Sequence, residues 1–450
     1  MEVVINFEEL LAIASTNPVA LYWYLFTNGG WIFLIVGFFI MAKYGWLEYI
    51  QNKYDSKRTY VMLAVDIPKN NEQSPKALEQ FFEHLAGIQT TPKWEDKWLK
   101  GKLQDHISLE IVSLGGYIQF LIYSPAGYRD LVEAALYAQY PDAEIIEVED
   151  YAQKYKTLKF PSDEYLVWGA EFKLSRPDHY PMKTHPSFEH PLSQELKDPI
   201  SSMLEILSKL GPAEQSWFQI VITPATSEWK AKAAIEAKKL TGAKVEPKKN
   251  LLEKTYDFPI KLISGLGDAA NYVITGSLTE EKKSADAPPS LMQYLSPGEK
   301  MTVEAIENKI SYTGFYTRIR YVYLTKKDAF DTNKGVDGFL GALNQFNGEN
   351  SLALNKKKKT KVYGLFKQAR LNARRNRIMR LYRLRGRQYR PGYFGYILNS
   401  QELATIYHFP VMTVKAPMVK KTESRRAEPP LSLPVEKLPI ENITAEENTK

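Results

Sequence analysis

The chain contains no cysteine. That single absence excludes disulfides, thiolate metal sites and a cysteine nucleophile together, and it suits a reducing compartment. Histidine is scarce, with six in 450 residues. Three of them, His179, His185 and His190, fall in one Pro-rich loop beside Glu189. Their spacing matches no zinc site, so an ordinary exposed loop is the simpler reading. No G-x-x-x-x-G-K-[ST] occurs, which excludes a P-loop cradle for nucleotide phosphates. The Gly-Gly pairs at 29–30 and 115–116 are explained by turn geometry. No His/Asp/Ser arrangement with catalytic spacing stands out. The expectation is a protein that is not an enzyme and uses no cofactor and no metal.

Acid is missing from one long segment. Lys356–Arg390 holds 15 Lys and Arg and no Asp or Glu, so with +7 overall the remainder of the chain sums to −8. The run Lys356–Lys359 is followed by Lys361, Lys367, Arg370, Arg374, Arg375, Arg377, Arg380, Arg383, Arg385, Arg387 and Arg390. Phe366, Ala369 and Ala373, then Ile378, Leu381 and Leu384, lie between them at helical spacing, which predicts a basic helix with a thin apolar stripe over 356–390. Lys367, Arg370, Arg374, Arg375, Arg377, Arg380, Arg383, Arg385 and Arg387 are its candidate phosphate-binding residues. Nucleic-acid phosphates are one partner such a helix could take. Anionic lipid headgroups are another, and an acidic surface of this or another protein is a third. A merely solvated face is the bland alternative, weakened by the complete absence of acid.

Charge is also missing near the N-terminus. Trp31–Ala42 is uncharged, and the stretch from Asn28 to Leu47 carries only Lys43. That length approaches the ~30 Å of a hydrocarbon core, with Trp31, Tyr44 and Trp46 as interfacial aromatics. The segment 28–47 is therefore expected to be a single transmembrane helix in the cell membrane. Glu2, Glu8 and Glu9 precede it, whereas Lys43, Lys53, Lys57 and Arg58 follow from its far end onward. The positive-inside bias puts residues 1–27 outside, with Leu10–Phe26 interfacial, and the body in the cytoplasm.

The body reads as α+β. Tyr60–Ile67 is a predicted strand, and Ser74-Pro75 opens a helix carrying Leu78, Phe81, Phe82 and Leu85 on one face. A hairpin follows over 107–123, then a helix over 125–138 and a strand over 143–148. This order is the split βαβ of a ferredoxin-like unit, placed at 59–150. A looser copy is expected at 160–350, with strands at 165–173, 216–222 and 312–324, helices near 200–210 and 328–346, and an insertion over 224–310. Residues 391–434 form a candidate docking segment, and 435–450 a disordered tail.

Several stretches resemble a family of bacterial membrane proteins linked to type IV secretion and conjugation. They include LAVDIPKNNEQSPKALEQFF (63–82), YIQFLIYSPAGYRDLVEAALYAQYPDAEI (117–145), DPISSMLEILSKLGPAEQSWFQIVI (198–222), ENKISYTGFYTRIRYVYL (307–324), LNSQELATIYHFP (398–410) and RRAEPPLSLP (425–434). The resemblance spans about 60–434 and matches the region that leads into a HerA/FtsK-like ATPase domain. It implies a membrane-anchored, non-catalytic scaffold that docks a separate HerA/FtsK-like ATPase, possible self-association, and a docking element at Glu402, Leu403, Tyr407, His408, Phe409 and Pro410. The other expected function is nucleic-acid binding through the basic helix.

Overall fold

A computed structural model describes residues 31–68, 71–189, 198–241, 295–386 and 395–411, with a few positions between 20 and 27. Its centre is a single antiparallel sheet of nine strands. In chain order these are β1 (Tyr60–Asp66), β2 (Ile107–Leu114), β3 (Tyr117–Pro125), β4 (Glu144–Glu147), β5 (Tyr165–Leu174), β6 (Glu214–Pro224), β7 (Gly314–Lys326), β8 (Leu352–Lys359) and β9 (Tyr396–Asn399). The helices are α1 (Trp31–Asp55), α2 (Lys76–Leu85), α3 (Trp94–Trp98), α4 (Arg129–Tyr137), α5 (Ser201–Ser208), α6 (Glu228–Leu240), α7 (Pro297–Ser311), α8 (Gly338–Leu343), α9 (Lys367–Leu384) and α10 (Ser400–Ile406). The spatial order is β4-β1-β3-β2-β6-β7-β5-β8, and β9 pairs with the first residues of β7.

Two ferredoxin-like units, the second with an insertion, are not what the chain builds. β2 and β6 pair in register from Ile107↔Ile222 to Leu114↔Gln215, so the sheet runs unbroken where a domain boundary was expected. One core crosses that junction, joining Leu63, Phe120 and Leu109 to Phe218, Tyr321 and Phe339. The described residues all belong to one compact unit. Edge strands carry unpaired N–H and C=O groups; pairing β2 with β6 satisfies both edges at once.

Both faces of the sheet are covered, and alternation along the strands separates two kinds of interior. Leu109, Ile111, Phe218, Ile220, Ile319 and Tyr321 face the larger core, under α2, α4, α5, α8 and α10. Val112, Trp217, Val322 and Leu324 face the other way, against Ile378, Met379 and Tyr382 of α9. Gly169 on β5 lets α9 approach closely, since a Cβ there would lie 3.0 Å from Cγ1 of Ile378.

The expected transmembrane helix is also corrected. Among the described residues no helix is long and apolar enough to cross a membrane. The uncharged stretch Trp31–Ala42 rises only ~18 Å, short of the ~30 Å required. Past it, α1 carries Lys43, Glu48, Lys53 and Asp55 and belongs to the folded body. Leu47, Ile50, Gln51 and Asp55 are buried, and the Trp46 indole N–H donates to the Trp98 carbonyl at 3.1 Å. The single-pass assignment, with the N-terminus outside and the body cytoplasmic, loses its basis. The segment 10–26 lies largely outside the described residues, as do 242–294 of the expected insertion and the tail 435–450.

Candidate functional site

The face under α9 contains a row of polar side chains that crosses four strands in register. Glu110 (β2) is opposite Gln219 (β6), Gln219 opposite Arg320 (β7), and Arg320 opposite Glu171 (β5). All four are buried. Gln219 donates from Nε2 to Glu110 at 2.9 Å and accepts from Arg320 at 2.9 Å. Arg320 Nε reaches Glu171 at 3.2 Å, and Lys358 from β8 pairs with the other oxygen of Glu171. A buried charge is tolerated only when paired and hydrogen-bonded, and every member of the row is.

Arg385, the residue after α9, closes this row. It is fully buried. Its guanidinium donates to Glu110 at 2.6 and 3.2 Å and to Asp150 at 2.8 Å twice, and lies over the Tyr123 ring at 4.4 Å. Burial would lower its pKa, but Glu110 and Asp150 beside it raise it well above its ordinary value. Burial would likewise raise Asp150, and the hydrogen bond from Arg385 leads the contacts that hold it below its ordinary value. Tyr151 donates to Glu110 at 2.8 Å and lies 2.7 Å from the Tyr382 hydroxyl. Three acids (Glu110, Asp150, Glu171) and three bases (Arg320, Lys358, Arg385) balance. Arg385 sits at φ +45°, a left-handed conformation that an L-residue adopts at a cost and that the two carboxylates offset.

The expected basic helix over 356–390 is therefore three structures. Lys356–Lys359 belong to the edge strand β8, a connection covers 360–366, and α9 begins at Lys367. Arg374 ties them together, donating from one terminal nitrogen to the carbonyls of Lys356, Lys359 and Lys361 at 2.9–3.3 Å. Arg383 donates to the Tyr155 carbonyl at 2.6 Å. Arg375 lies over the Phe160 ring at 5.8 Å. Burial pushes the pKa of both Arg375 and Arg383 down. These three arginines are half-buried and largely committed to the fold, and Arg385 wholly so. Arg387 lies outside the described residues.

What remains is an outward stripe. Lys367, Arg370, Arg377 and Arg380 are exposed on α9, and Lys356, Lys357 and Lys361 are exposed beside it. Positions 370, 373, 377 and 380 recur at three- and four-residue steps and share a face. Among the described residues none of these seven cations makes an ion pair with an acid. Lysines also protect an edge strand from unwanted pairing, which is reason enough for Lys356 and Lys357. It does not account for the α9 stripe.

Five of the six expected docking residues are interior. Glu402, Leu403, Tyr407 and His408 are fully buried, and Phe409 is 1 % exposed. Glu402 forms a capping box with Asn399 at the start of α10 and pairs with buried Lys309 at 2.9 Å. Tyr407 and Phe409 pack edge-on or tilted against Phe120, with centroids at 5.9 and 5.2 Å. His408 has two acceptors, the Ala404 carbonyl at 3.0 Å and Asp198 at 2.8 Å. Pro410, half-buried, accepts from Asn71 at 3.1 Å. The sequence signal was present: N-x-x-E at 399–402 marks a helix start, and Leu403, Ile406, Tyr407 and Phe409 are core types. Sequence reasoning also missed Glu110, Asp150, Glu171 and Arg320, though a lone charge inside ISLEIV, VWGAEF and IRYVYL is a visible oddity. Of the loop histidines, His185 is buried against Glu79 at 2.6 Å, His179 stacks near Tyr180 at 4.5 Å, and His190 lies outside the described residues.

The chain belongs to a family described as a domain of unknown function (DUF8128), whose model matches residues 48–422. No curated protein matches it. The match names no secretion or conjugation role, so that part of the resemblance is not carried over as a finding.

Truncating a buried pair leaves an uncompensated charge, typically at 3–5 kcal/mol. Arg385→Ala should therefore lower unfolding stability in urea by about 3–5 kcal/mol, and a loss under about 1 kcal/mol would contradict the assigned role. Burial would raise Asp198 as well, but His408 and the backbone N–H groups of Val411 and Ile200 hold it low. A depressed carboxylate stabilises the fold above its unfolded value of about 3.9, and that contribution is lost as pH falls through the folded value. The urea midpoint should hold from pH 7 to 5 and drop below about pH 4. In Asp198→Asn that drop should be smaller; an unchanged drop would contradict the linkage.

Proposed function

We propose that this protein binds nucleic acid through the outer stripe of α9 and the adjoining lysines of β8. The observation that carries the reading is the division of the basic segment into two populations. Arg374, Arg375, Arg383 and Arg385 build the fold, whereas Lys367, Arg370, Arg377 and Arg380 form an exposed stripe that makes no ion pair among the described residues, Arg370 also donating to the Tyr363 carbonyl. Between Arg370 and Arg380 α9 rises ~15 Å, enough to follow several consecutive phosphates of a strand spaced about 3.4 Å apart along the duplex axis. The half-buried arginines anchor the helix, so the outer cations are presented on a rigid element. Cations held this way bind phosphate by releasing counterions, without reading sequence.

A finer placement, beside a separate HerA/FtsK-like ATPase in a secretion or conjugation machine, is supported by the resemblance of residues 60–434 alone. Five of the six residues expected to dock that ATPase are interior and Pro410 is half-buried, and the α9 stripe offers a guide for a strand passing to such a motor.

The test is fluorescence anisotropy of the full chain with a labelled mixed-sequence oligonucleotide at low salt. Arg370→Gln/Arg377→Gln/Arg380→Gln should weaken binding at least about tenfold, the equivalent of ~1.4 kcal/mol, with an unchanged urea midpoint. Absence of binding by the unmodified chain, or unaltered affinity in the triple variant, would sink the proposal.

A further inference from the structure

The connection between β8 and α9 is held firmly at its base and bare at its tip. Thr360 donates its backbone N–H to the Gly169 carbonyl and accepts the Gly169 N–H on its hydroxyl, both at 2.9 Å. Val362 is buried. Arg370 donates to the Tyr363 carbonyl at 3.2 Å, and Arg374 fastens the Lys361 carbonyl at 2.9 Å. On this anchored stem Tyr363, Leu365 and Phe366 are 69, 83 and 81 % exposed. Exposing three large apolar side chains in four residues gains no burial energy. The backbone is strained as well, because Phe366 has φ +53°, a left-handed conformation that L-residues rarely adopt. Strain that packs nothing inside points to something outside. The tip also opens directly onto the cationic stripe, with Lys361 Nζ 5.7 Å from the Tyr363 ring centre and Lys367 next to Phe366.

Two aromatic rings beside a row of exposed cations that make no ion pair among the described residues match the chemistry of an unpaired strand. Its phosphates need positive charge, and its exposed base faces need flat apolar partners. A duplex hides those faces within its stack, so the rings would add nothing to its binding. We propose that the site takes single-stranded nucleic acid, with Tyr363 and Phe366 as stacking platforms at the end of the α9 stripe. This rests on the nucleic-acid reading above and names its substrate class.

The experiment compares the full chain, Tyr363→Ala/Phe366→Ala, Leu365→Ala and Phe366→Trp by anisotropy. The probes are a single-stranded 20-mer, the matching duplex, and vesicles containing anionic phospholipid. Stacking predicts tighter binding of the single strand than of the duplex. The double variant should lose about tenfold or more of its single-strand affinity for each ring, while duplex affinity changes less than about twofold and thermal stability is unchanged. Phe366→Trp should retain or improve single-strand binding, and Leu365→Ala should have little effect, since leucine has no flat face to stack. Equal affinity for both nucleic-acid forms, insensitive to the rings, overturns this inference but leaves the nucleic-acid reading intact. Loss on Leu365→Ala as large as in the Tyr363→Ala/Phe366→Ala variant, or capture by vesicles in place of oligonucleotides, overturns it in favour of a lipid surface. No binding to either oligonucleotide overturns both.

Discussion

The clamp of Arg385 on Glu110 and Asp150 sets where the basic helix lies, and the proposed function depends on that placement. Its guanidinium meets two carboxylates through four hydrogen bonds at 2.6–3.2 Å inside an interior that also contains Gln219, Arg320 and Glu171. A buried ion pair contributes little net stability compared with a well-packed apolar substitute. The attraction between α9 and the sheet comes from Ile378, Met379 and Tyr382 against Trp217 and Val322, at roughly 1.5–3 kcal/mol per fully buried side chain. The ionic row supplies register. An apolar helix stripe can slide or rotate at small cost, whereas Arg385 in any other position would leave two carboxylates buried and unpaired. That choice of register turns Arg370, Arg377 and Arg380 outward.

The segment Lys356–Arg390 thus performs two opposed tasks with one residue type. Arginines on the sheet side neutralise buried acid or cap carbonyls. Those on the far side have no acid among the described residues and face solvent. The same division holds for β8, where Lys358 turns in to Glu171 while Lys356 and Lys357 turn out. Charge density is most useful for phosphate binding where it is displayed by a rigid scaffold, and here the scaffold is made from part of the same run.

Local patterning made most strands and helices legible, and long-range pairing was beyond it. Period-two alternation and turn signals placed β1–β7 within a few residues, and Ser74-Pro75 and Gly211-Pro212 bracketed real helices. β8 was missed because LALNKKKK carries its lysines on an exposed edge, where charge replaces the usual strand composition. The β2–β6 junction that makes one sheet of the chain is a contact over about a hundred residues, and no local pattern encodes it. The segment 28–47 has the length and low charge of a membrane span, whereas buried Leu47, Ile50 and Asp55 show that the helix continues into the body. The stretch 402–410, expected from the resemblance to be a docking element, places Leu403, Tyr407 and Phe409 in the core. At the candidate site the cations themselves were legible, but their division into structural and outward groups required Glu110, Asp150 and Glu171 to be placed in space.

The central claim is that the outward cations bind phosphate directly. The measurement that tests it most closely is the salt dependence of single-strand binding by the full chain. Displacement of counterions from a single strand gives a slope of log K against log salt of about −0.7 per phosphate neutralised. Engagement of most of the seven outward cations therefore corresponds to a slope of about −3 to −5. A slope in that range supports the account, and a slope near zero would contradict it.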